Sequence, residues 1–411
     1  MWIMEAKKDS LLGVEEAQRR ISAAITPVTE CEQIALGDSL GRVLGADLCS
    51  SADVPPYANS AMDGYAFNSA DLPDIGKRDL KIVGAALAGK PYSAALRPGE
   101  CIRIMTGAVL PQGADTVVMQ EQAECAGDTL LLAPGHAPGQ HVRRAGEDIA
   151  RGDVVLKCGR RLQPADLGLL ASLGIATVNV YRRIRVALFT TGDELREVDE
   201  PLDAGQIHDS NRYVLRALLT QAGVTCVDMG IVRDRREQVR AALARAADIA
   251  DVVISSGGAS AGETDYIREI LAELGEVNFW RIAMKPGKPL VFGRIGRAHF
   301  FGLPGNPVSA MVTFYQFALP ALLKLMGMQD RAAHTLLLNC TEHLKKAAGR
   351  TEFLRGVIEH DAAGQMTVRT TGAQGSGILS SMSKADCFII LPGPCTEVTP
   401  GAPVTVQLFT L

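Results

Sequence analysis

Apolar residues recur along the chain with two periods, and the changes from one to the other divide it. SLLGVEEAQRRISAAI (10–25) places Leu11, Val14, Ala17, Ile21 and Ile25 at helical spacing behind Ser10, which predicts an amphipathic opening helix that Pro27 ends. From about 46 to 150 the period shortens. Runs such as LKIVGAAL, ECIRIMTGAVL, ADTVVMQEQ and GDTLLLA are punctuated by PGE, PQGAD and APGQ, the pattern of an all-β module.

Residues 151–180 read as a turn-rich connector with a short helix near Pro164, after which strand and helix alternate. RVALFTT (185–191), VTCVDMGIV (224–232), DVVISSGG (251–258) and HFFGLPG (299–305) are apolar runs of strand length. Between and after them lie helical patterns: NRYVLRALLTQAG, capped by Ser210 or Asn211 and closed by Gly223, then REQVRAALARAA, DYIREILAELG and the long PVSAMVTFYQFALPALLKLMG. Continuous apolar strands between amphipathic helices imply a doubly wound, mostly parallel α/β sheet covered on both faces, whose ligands sit beyond the carboxyl ends of the strands. After about 331 short strands return (TLLLNC, EFLRGVIEH, QMTVRTT, CFIILPG, PVTVQLF), the pattern of a small C-terminal β-barrel or sandwich.

A chain of 411 residues exceeds what one core supports, so several domains are expected. Its 42 basic and 46 acidic residues leave a net charge of about −4 with no one-signed basic stripe, which argues against nucleic acid. Early charges (Glu5, Lys7, Lys8, Asp9) argue against a secretory signal, and no run of 18 apolar residues suggests a membrane span, so a cytoplasmic location is expected. The nine cysteines are scattered singly without a CxxC pair, consistent with reduced thiols rather than disulfides or zinc.

The candidate chemistry collects at strand ends. Ser255-Ser256-Gly257-Gly258-Ala259-Ser260 follows a buried strand and precedes a helix starting near Asp265, so loop amides, hydroxyls and a helix N-terminus converge where glycines let a phosphate approach. An ordinary tight βα turn uses the same residues. Two further strand ends carry related loops, Thr190-Thr191-Gly192-Asp193-Glu194 and Pro304-Gly305-Asn306-Pro307-Val308-Ser309, with Asn306 placed to cap a helix and Pro307 at its first position. Acidic residues stand beside them: Asp193, Glu194, Asp234, Glu263 and Asp265. Carboxylates near a phosphate repel it unless a hard cation lies between, which suggests Mg²⁺, although helix capping alone also explains Asp265. Lys285-Pro286-Gly287-Lys288-Pro289 sets two lysines in a stretch that cannot be helical, so both can converge on a small oxyanion; solvated surface lysines are the alternative. Asn59 to Ala66, with Asp63-Gly64, and Thr106-Gly107-Ala108 are weaker signals that turns alone explain.

NSAMDGYA, RIMTGA, RRAGED, TTGDEL, SSGGASAGETDY, KPGKP, GLPGNPVSA and GRTEFLRG, in this order, resemble the MoeA family of molybdopterin molybdenumtransferases, to which part of gephyrin belongs. The resemblance covers about residue 10 to the C-terminus. It implies a division into a connector (27–45 and 150–178), an inserted β-rich domain (46–149), the α/β molybdopterin-binding domain (1–26 and 179–330) and a C-terminal barrel (331–411).

It further implies Mg²⁺-dependent cleavage of adenylylated molybdopterin, with release of AMP, and insertion of molybdate into the dithiolene to give molybdenum cofactor. Asp63, Glu194, Asp234 and Asp265 are then the catalytic candidates, the last three also holding the metal. Thr106, Thr191, Gly192, Asp193, Ser256, Gly257, Gly258, Ser260, Pro304, Asn306 and Pro307 would bind the adenylated pterin, and Lys285, Lys288, Pro289, Ser309, Arg350 and Ser376 the molybdate. Family members are homodimers, with Asp63 and Thr106 of one subunit facing the partner's cleft; the adenylyltransferase that supplies the substrate and the carriers or apoenzymes that receive the cofactor are the expected partners. His208, where the family usually has tyrosine, and Ala259 and Ala261, where valine is common, are the departures. Two other readings compete: the adenylyltransferase of the same α/β fold, which lacks the flanking β modules, and a scaffold, which has no need of paired carboxylates and oxyanion lysines.

Overall fold

The computed structural model describes residues 11–257, 265–329 and 333–409, the side chains of 265–268 and 279 excepted. Its centre is a six-stranded sheet of β1 (Arg185–Thr191), β2 (Thr225–Val232), β3 (Val252–Ser256), β4 (Gly275–Arg281), β5 (Pro289–Ile295) and β6 (Ala298–Leu303), in the order β2-β1-β3-β6-β5-β4. The β2, β1, β3 and β6 pairings are parallel; β5 and β4 continue the sheet antiparallel. Alternation along β1 divides the interior. Val186 and Leu188 pack with Leu215, Leu219 and Phe317 on one face, while Ala187 and Phe189 pack with Val239, Leu243 and Ile270 on the other. This is the doubly wound arrangement expected from continuous apolar strands, with an antiparallel extension that the sequence pattern did not predict.

Helix ends follow local chemistry with some differences from expectation. The Ser210–Ala222 helix closes at Gly223 in the left-handed region (φ 83°), but its cap is Asp209, whose carboxylate accepts the Arg212 N–H, rather than Ser210 or Asn211. The opening helix spans Val14–Ala24 with Gly13 at its N-cap and no side-chain cap. Asn306 stands at the N-cap of the Pro307–Thr313 helix without a side-chain bond; its carbonyl instead accepts the Ala310 N–H at 2.9 Å.

The long apolar pattern after Pro307 is helical throughout but contains a π turn, Phe314–Ala318, before Leu319–Leu325. Pro320 has no N–H to give the carbonyl four residues earlier, that of Gln316. Gln18 of the opening helix donates to that carbonyl at 3.1 Å, and the Gln316 side chain donates to Gln407 in the last strand at 2.8 Å. Three glutamines thereby join the first helix, the central domain and the barrel. The span Pro307–Leu325 is long and apolar enough to cross a membrane, but 83% of an 18-residue window of it is buried within the fold.

The β-rich region carries a second six-stranded sheet, from Gly64–Phe67 to Thr129–Leu132. Two ribbons, Cys31–Ala35 with Thr177–Tyr181 and Leu48–Cys49 with Val154–Leu156, and the Pro164–Ser172 helix connect it to the α/β unit around a core of Leu44, Leu162, Leu170 and Val180. At the C-terminus Thr351–His360, Met366–Thr370, Thr335–Cys340, Pro403–Leu408 and Cys387–Leu391 pair in that order, and the last pairs back to the first, closing a five-stranded barrel. Met284–Lys285 adds to its edge, parallel to Thr351 and Glu352.

Candidate functional site

Beyond the carboxyl ends of β1, β3 and β6 lies a cavity of about 990 Å³ between the α/β domain and the barrel. One wall is built by the sheet. Thr190 and Thr191 end β1, and Gly192 follows with φ 154°, a conformation side chains rarely adopt; a Cβ there would lie 2.5 Å from Oε2 of Glu194, so glycine lets that carboxylate fold back over the loop. Gly257 (φ 98°) approaches so closely that a Cβ would meet the Thr191 carbonyl at 2.4 Å. Thr191 Oγ1 is buried there without a hydrogen-bond partner. Ser256 Oγ donates to the Pro304 carbonyl at 3.0 Å and accepts from Asn211 Nδ2 at 2.9 Å, while Asn211 also donates to Gly305 O at 2.7 Å. Three loops are therefore tied into one frame.

A charge hub supports that wall. Asp209, 1% exposed, accepts from Thr190 Oγ1 at 2.5 Å and pairs with Arg212 at 3.3 Å; Arg212 also meets Asp228 at 3.2 Å and pairs with Glu197. Glu194 and Asp234 both line the cavity beside these loops. Asp193 does not: its Oδ1 accepts the Asp234 N–H at 3.3 Å and its carbonyl accepts from Arg196 at 2.9 Å, so it shapes the turn instead of facing a ligand.

The opposite corner is shared by two units. From the α/β domain come Lys285, Lys288, Pro289 and Ser309, the last on the helix whose start, Asn306 and Pro307, also borders the sheet-built wall through Pro304 and Gly305. Gly287 (φ 95°) seats the lysine loop against Thr313, whose Oγ1 would lie 2.7 Å from a Cβ there. From the barrel come Arg350 and Ser376. Lys285 Nζ lies 3.4 Å from the buried carboxylate of Glu352, and the Val308 N–H donates to Ser376 O at 3.1 Å, so the barrel is bonded both to the lysine strand and to the helix start. Gln374 braces the Ser376 loop, accepting the Arg355 N–H at 2.8 Å and donating to Arg355 O at 3.2 Å. Fully buried Arg355 donates to Gly375 O at 3.2 Å and to Ser381 Oγ at 3.1 Å; burial pushes its guanidinium down to about 10, and among the described residues it has no carboxylate partner.

Most residues expected from sequence thus converge. Asp63 and Thr106 do not: they lie in the β-rich region, where the Thr106 N–H and hydroxyl both donate to Asp63 Oδ1 at 2.7 Å, holding that carboxyl below its ordinary value, first through the N–H and then through the hydroxyl. Gly258 and Ser260 fall outside the described residues, as does the side chain of Asp265, whose backbone begins the Asp265–Leu274 helix. Among the described residues no three acidic, histidine or cysteine side chains group to hold a metal, so Glu194 and Asp234 supply at most two of the three expected ligands there. Sequence reading missed Asp209, Asn211, Arg355 and Gln374. The GRTEFLRG motif contains Arg355, yet only a tertiary structure distinguishes the arginine that faces the cavity from the one that braces it.

A second cavity, of about 960 Å³, lies between the opening helix, connector residues 154–161 and the π turn. It has no carboxylate in its lining, so the juxtaposition of acids and bases belongs to the first cavity alone of the two.

Comparison with known proteins agrees in order and extent. Residues 12–174 match the MoeA N-terminal region (domain I and II), residues 187–324 a probable molybdopterin binding domain, and residues 338–409 the MoeA C-terminal region (domain IV). The chain is 41% identical to a molybdopterin molybdenumtransferase of Haemophilus influenzae over 97% of its length and 99% of the relative's. It is 34% identical to gephyrin of Dictyostelium discoideum over 92% of this chain and 60% of that protein. A molybdopterin biosynthesis moeA protein of Pyrococcus horikoshii superposes with a TM-score of 0.85 at 27% identity, over 97% of this chain and all of the other.

Proposed function

The chain belongs to the MoeA family of molybdopterin molybdenumtransferases, and from that premise we propose how its cavity divides the work of transferring molybdenum to molybdopterin. The observation that supports the division is the placement of Glu194 and Asp234 at one wall and Lys285, Lys288 and Arg350 at the other wall of a single cavity. Adenylylated molybdopterin lies along the sheet-built wall, its phosphates toward Thr191, Gly192, Ser256 and Gly257 and the start of the Pro307 helix, with Pro304 and Asn306 completing the surface; Gly258 and Ser260, expected there from sequence, lie outside the described residues. Molybdate lies in the shared corner. Lys285, Lys288 and Arg350 donate charge-assisted hydrogen bonds to it, and Ser309 and Ser376 orient it with hydroxyls beside Pro289.

Glu194 and Asp234, hard oxygen donors that line the cavity together with the end of β1, would hold Mg²⁺, with Asp265 the third ligand expected from sequence. When bound, the ion would draw electron density from the phosphoryl oxygens. Cleavage joins a water oxygen to phosphorus and expels the other phosphate, giving AMP and molybdopterin; the chain's carboxylates take the proton that the water loses. In the reading proposed here the enzyme works as a homodimer in the cytoplasm, with Asp63 and Thr106 of a second copy completing the cleft, and without nucleic acid or membrane. An adenylyltransferase delivers the substrate, and carriers or molybdoenzyme apoproteins accept the product. The four-unit division at 27–45 with 150–178, 46–149, 1–26 with 179–330, and 331–411 belongs to the same proposal.

The test is incubation of the purified chain with adenylylated molybdopterin and Mg²⁺, following AMP and active cofactor with and without molybdate. Molybdate-dependent AMP release coupled to cofactor formation is expected. Tight binding without cleavage would move the protein to a carrier or scaffold role.

A further inference from the structure

Arg350 reaches the cavity from a turn that contributes almost no apolar side chain to any core. Residues 346–350, Lys-Ala-Ala-Gly-Arg, run between a two-residue ribbon, Leu344–Lys345 against Glu397–Val398, and the barrel strand that begins at Thr351. Short polar segments of this kind hold their shape only through hydrogen bonds.

The bonds converge on one ammonium group. Lys346 Nζ lies within hydrogen-bond distance of four carbonyl oxygens, those of Ala347 (3.1 Å), Pro392 (3.1 Å), Gly393 (3.3 Å) and Cys395 (2.8 Å). Three N–H donors shared among four acceptors leave no capacity for a carboxylate, and among the described residues Lys346 forms no ion pair. The Lys346 N–H donates to Thr396 O at 2.9 Å, and the Gly349 N–H donates to Gly393 O at 2.8 Å, the same carbonyl that Lys346 grips. One residue beyond Arg350, the Thr351 N–H donates to Ala283 O at 2.9 Å, which fixes the turn to the lysine strand. Gly349 sits at φ 100°, a conformation that favours glycine, so the hydrogen bonds and not the backbone's own preference fix the path of the chain into Arg350.

We infer that Lys346 is a positioning residue for molybdate: its ammonium clamps the 392–395 loop against the 346–350 turn and thereby sets where the Arg350 guanidinium stands in the oxyanion corner. This rests on the reading of Arg350 as a molybdate ligand. A lysine does this better than an arginine, because a compact ammonium with rotatable donors fits a ring of carbonyls that a planar fork does not.

Lys346→Met retains the aliphatic stem and removes all donors. On the full-length protein, with molybdate as the probe, this variant raises KM for molybdate about tenfold, as the loss of about 1.4 kcal/mol of positioning predicts. The turnover at saturating molybdate and the affinity for adenylylated molybdopterin stay at wild-type values, and Lys346→Met combined with Arg350→Ala is no weaker than Arg350→Ala alone. A merely structural role would raise molybdate KM while lowering turnover and adenylate affinity together, or act additively with Arg350→Ala. A raised molybdate KM in Arg350→Ala with an unchanged one in Lys346→Met overturns the inference alone. An unchanged KM in Arg350→Ala removes the molybdate role of Arg350, and the inference with it. Lys346→Gln, which keeps two donors, gives an intermediate KM and serves as the decisive variant if Lys346→Met does not fold.

Discussion

The two sides of the cavity are built on different plans. The sheet-side wall consists of loops that leave neighbouring parallel strands of one domain and are cross-bonded through Ser256, Asn211 and buried Asp209. The opposite corner draws Lys285 and Ser309 from that domain but Arg350 and Ser376 from the barrel, and three contacts join the contributions: Lys285 with Glu352, Val308 with Ser376, and Thr351 with Ala283. A wall made within one sheet is fixed as soon as the sheet forms. A corner made by two units depends also on how they dock, so its residues need internal braces of their own.

Substitutions should separate the two plans. The largest effect is expected for Gly257→Val, which forces a branched side chain into a left-handed position against the Thr191 carbonyl; affinity for adenylylated molybdopterin should fall about 100-fold, as strain of about 3 kcal/mol implies, while molybdate KM measured at saturating adenylate stays constant. Equal loss of both affinities would show that the walls are not independent. Arg355→Met removes the guanidinium bonds to Gly375 O and Ser381 Oγ while keeping those of Gln374 to the backbone, and should raise molybdate KM about tenfold with adenylate affinity intact, read by steady-state kinetics. Ser376→Ala removes one hydroxyl and should raise molybdate KM only about threefold to tenfold.

The smallest effect on the site is expected from the far end of the same sheet. His299, at the start of β6, is stacked on Phe292 with its Nδ1 buried and unpartnered, and burial pushes its pKa down to about 4 from 6.5, with a smaller push from Arg294. Between those two values the unfolded chain binds the proton and the folded chain does not, so stability is full above about pH 6.5 and declines as pH falls toward 4. His299→Phe should flatten that acid limb in thermal melts recorded from pH 7 to 4 and leave molybdate KM unaltered.

The sequence disclosed the sheet-side wall better than the corner. RVALFTT, DVVISSGG and HFFGLPG are apolar runs that end in glycine loops, and the structure places all three strands together with those loops at one end. The antiparallel pair β4 and β5 carries no hairpin signal in the sequence, because EVNFWRI and PLVFGRI are separated by the KPGKP segment, whose prolines and glycine are not those of a tight β-turn. Asp209 was overlooked as a cap because Ser210 and Asn211 beside it have equal propensity, and only the buried Thr190 hydroxyl and Arg212 decide between them. Arg355 and Gln374 act through contacts about 20 residues apart, a relation that no local periodicity records.

The closure of the barrel bears on how the protein matures during synthesis. Its last strand, Pro403–Leu408, pairs with both Thr335–Cys340 and Cys387–Leu391, and carries the Gln407 that ends the relay begun by Gln18. A chain that has emerged only to residue 400 can already assemble the sheet and its strand-end loops and can tether Arg350 and Ser376 through Gly393, Ala283 and Val308, yet its barrel is still open. The bridge from the first helix to the barrel is therefore made only when that strand is added, after the loops of the cavity are already in place.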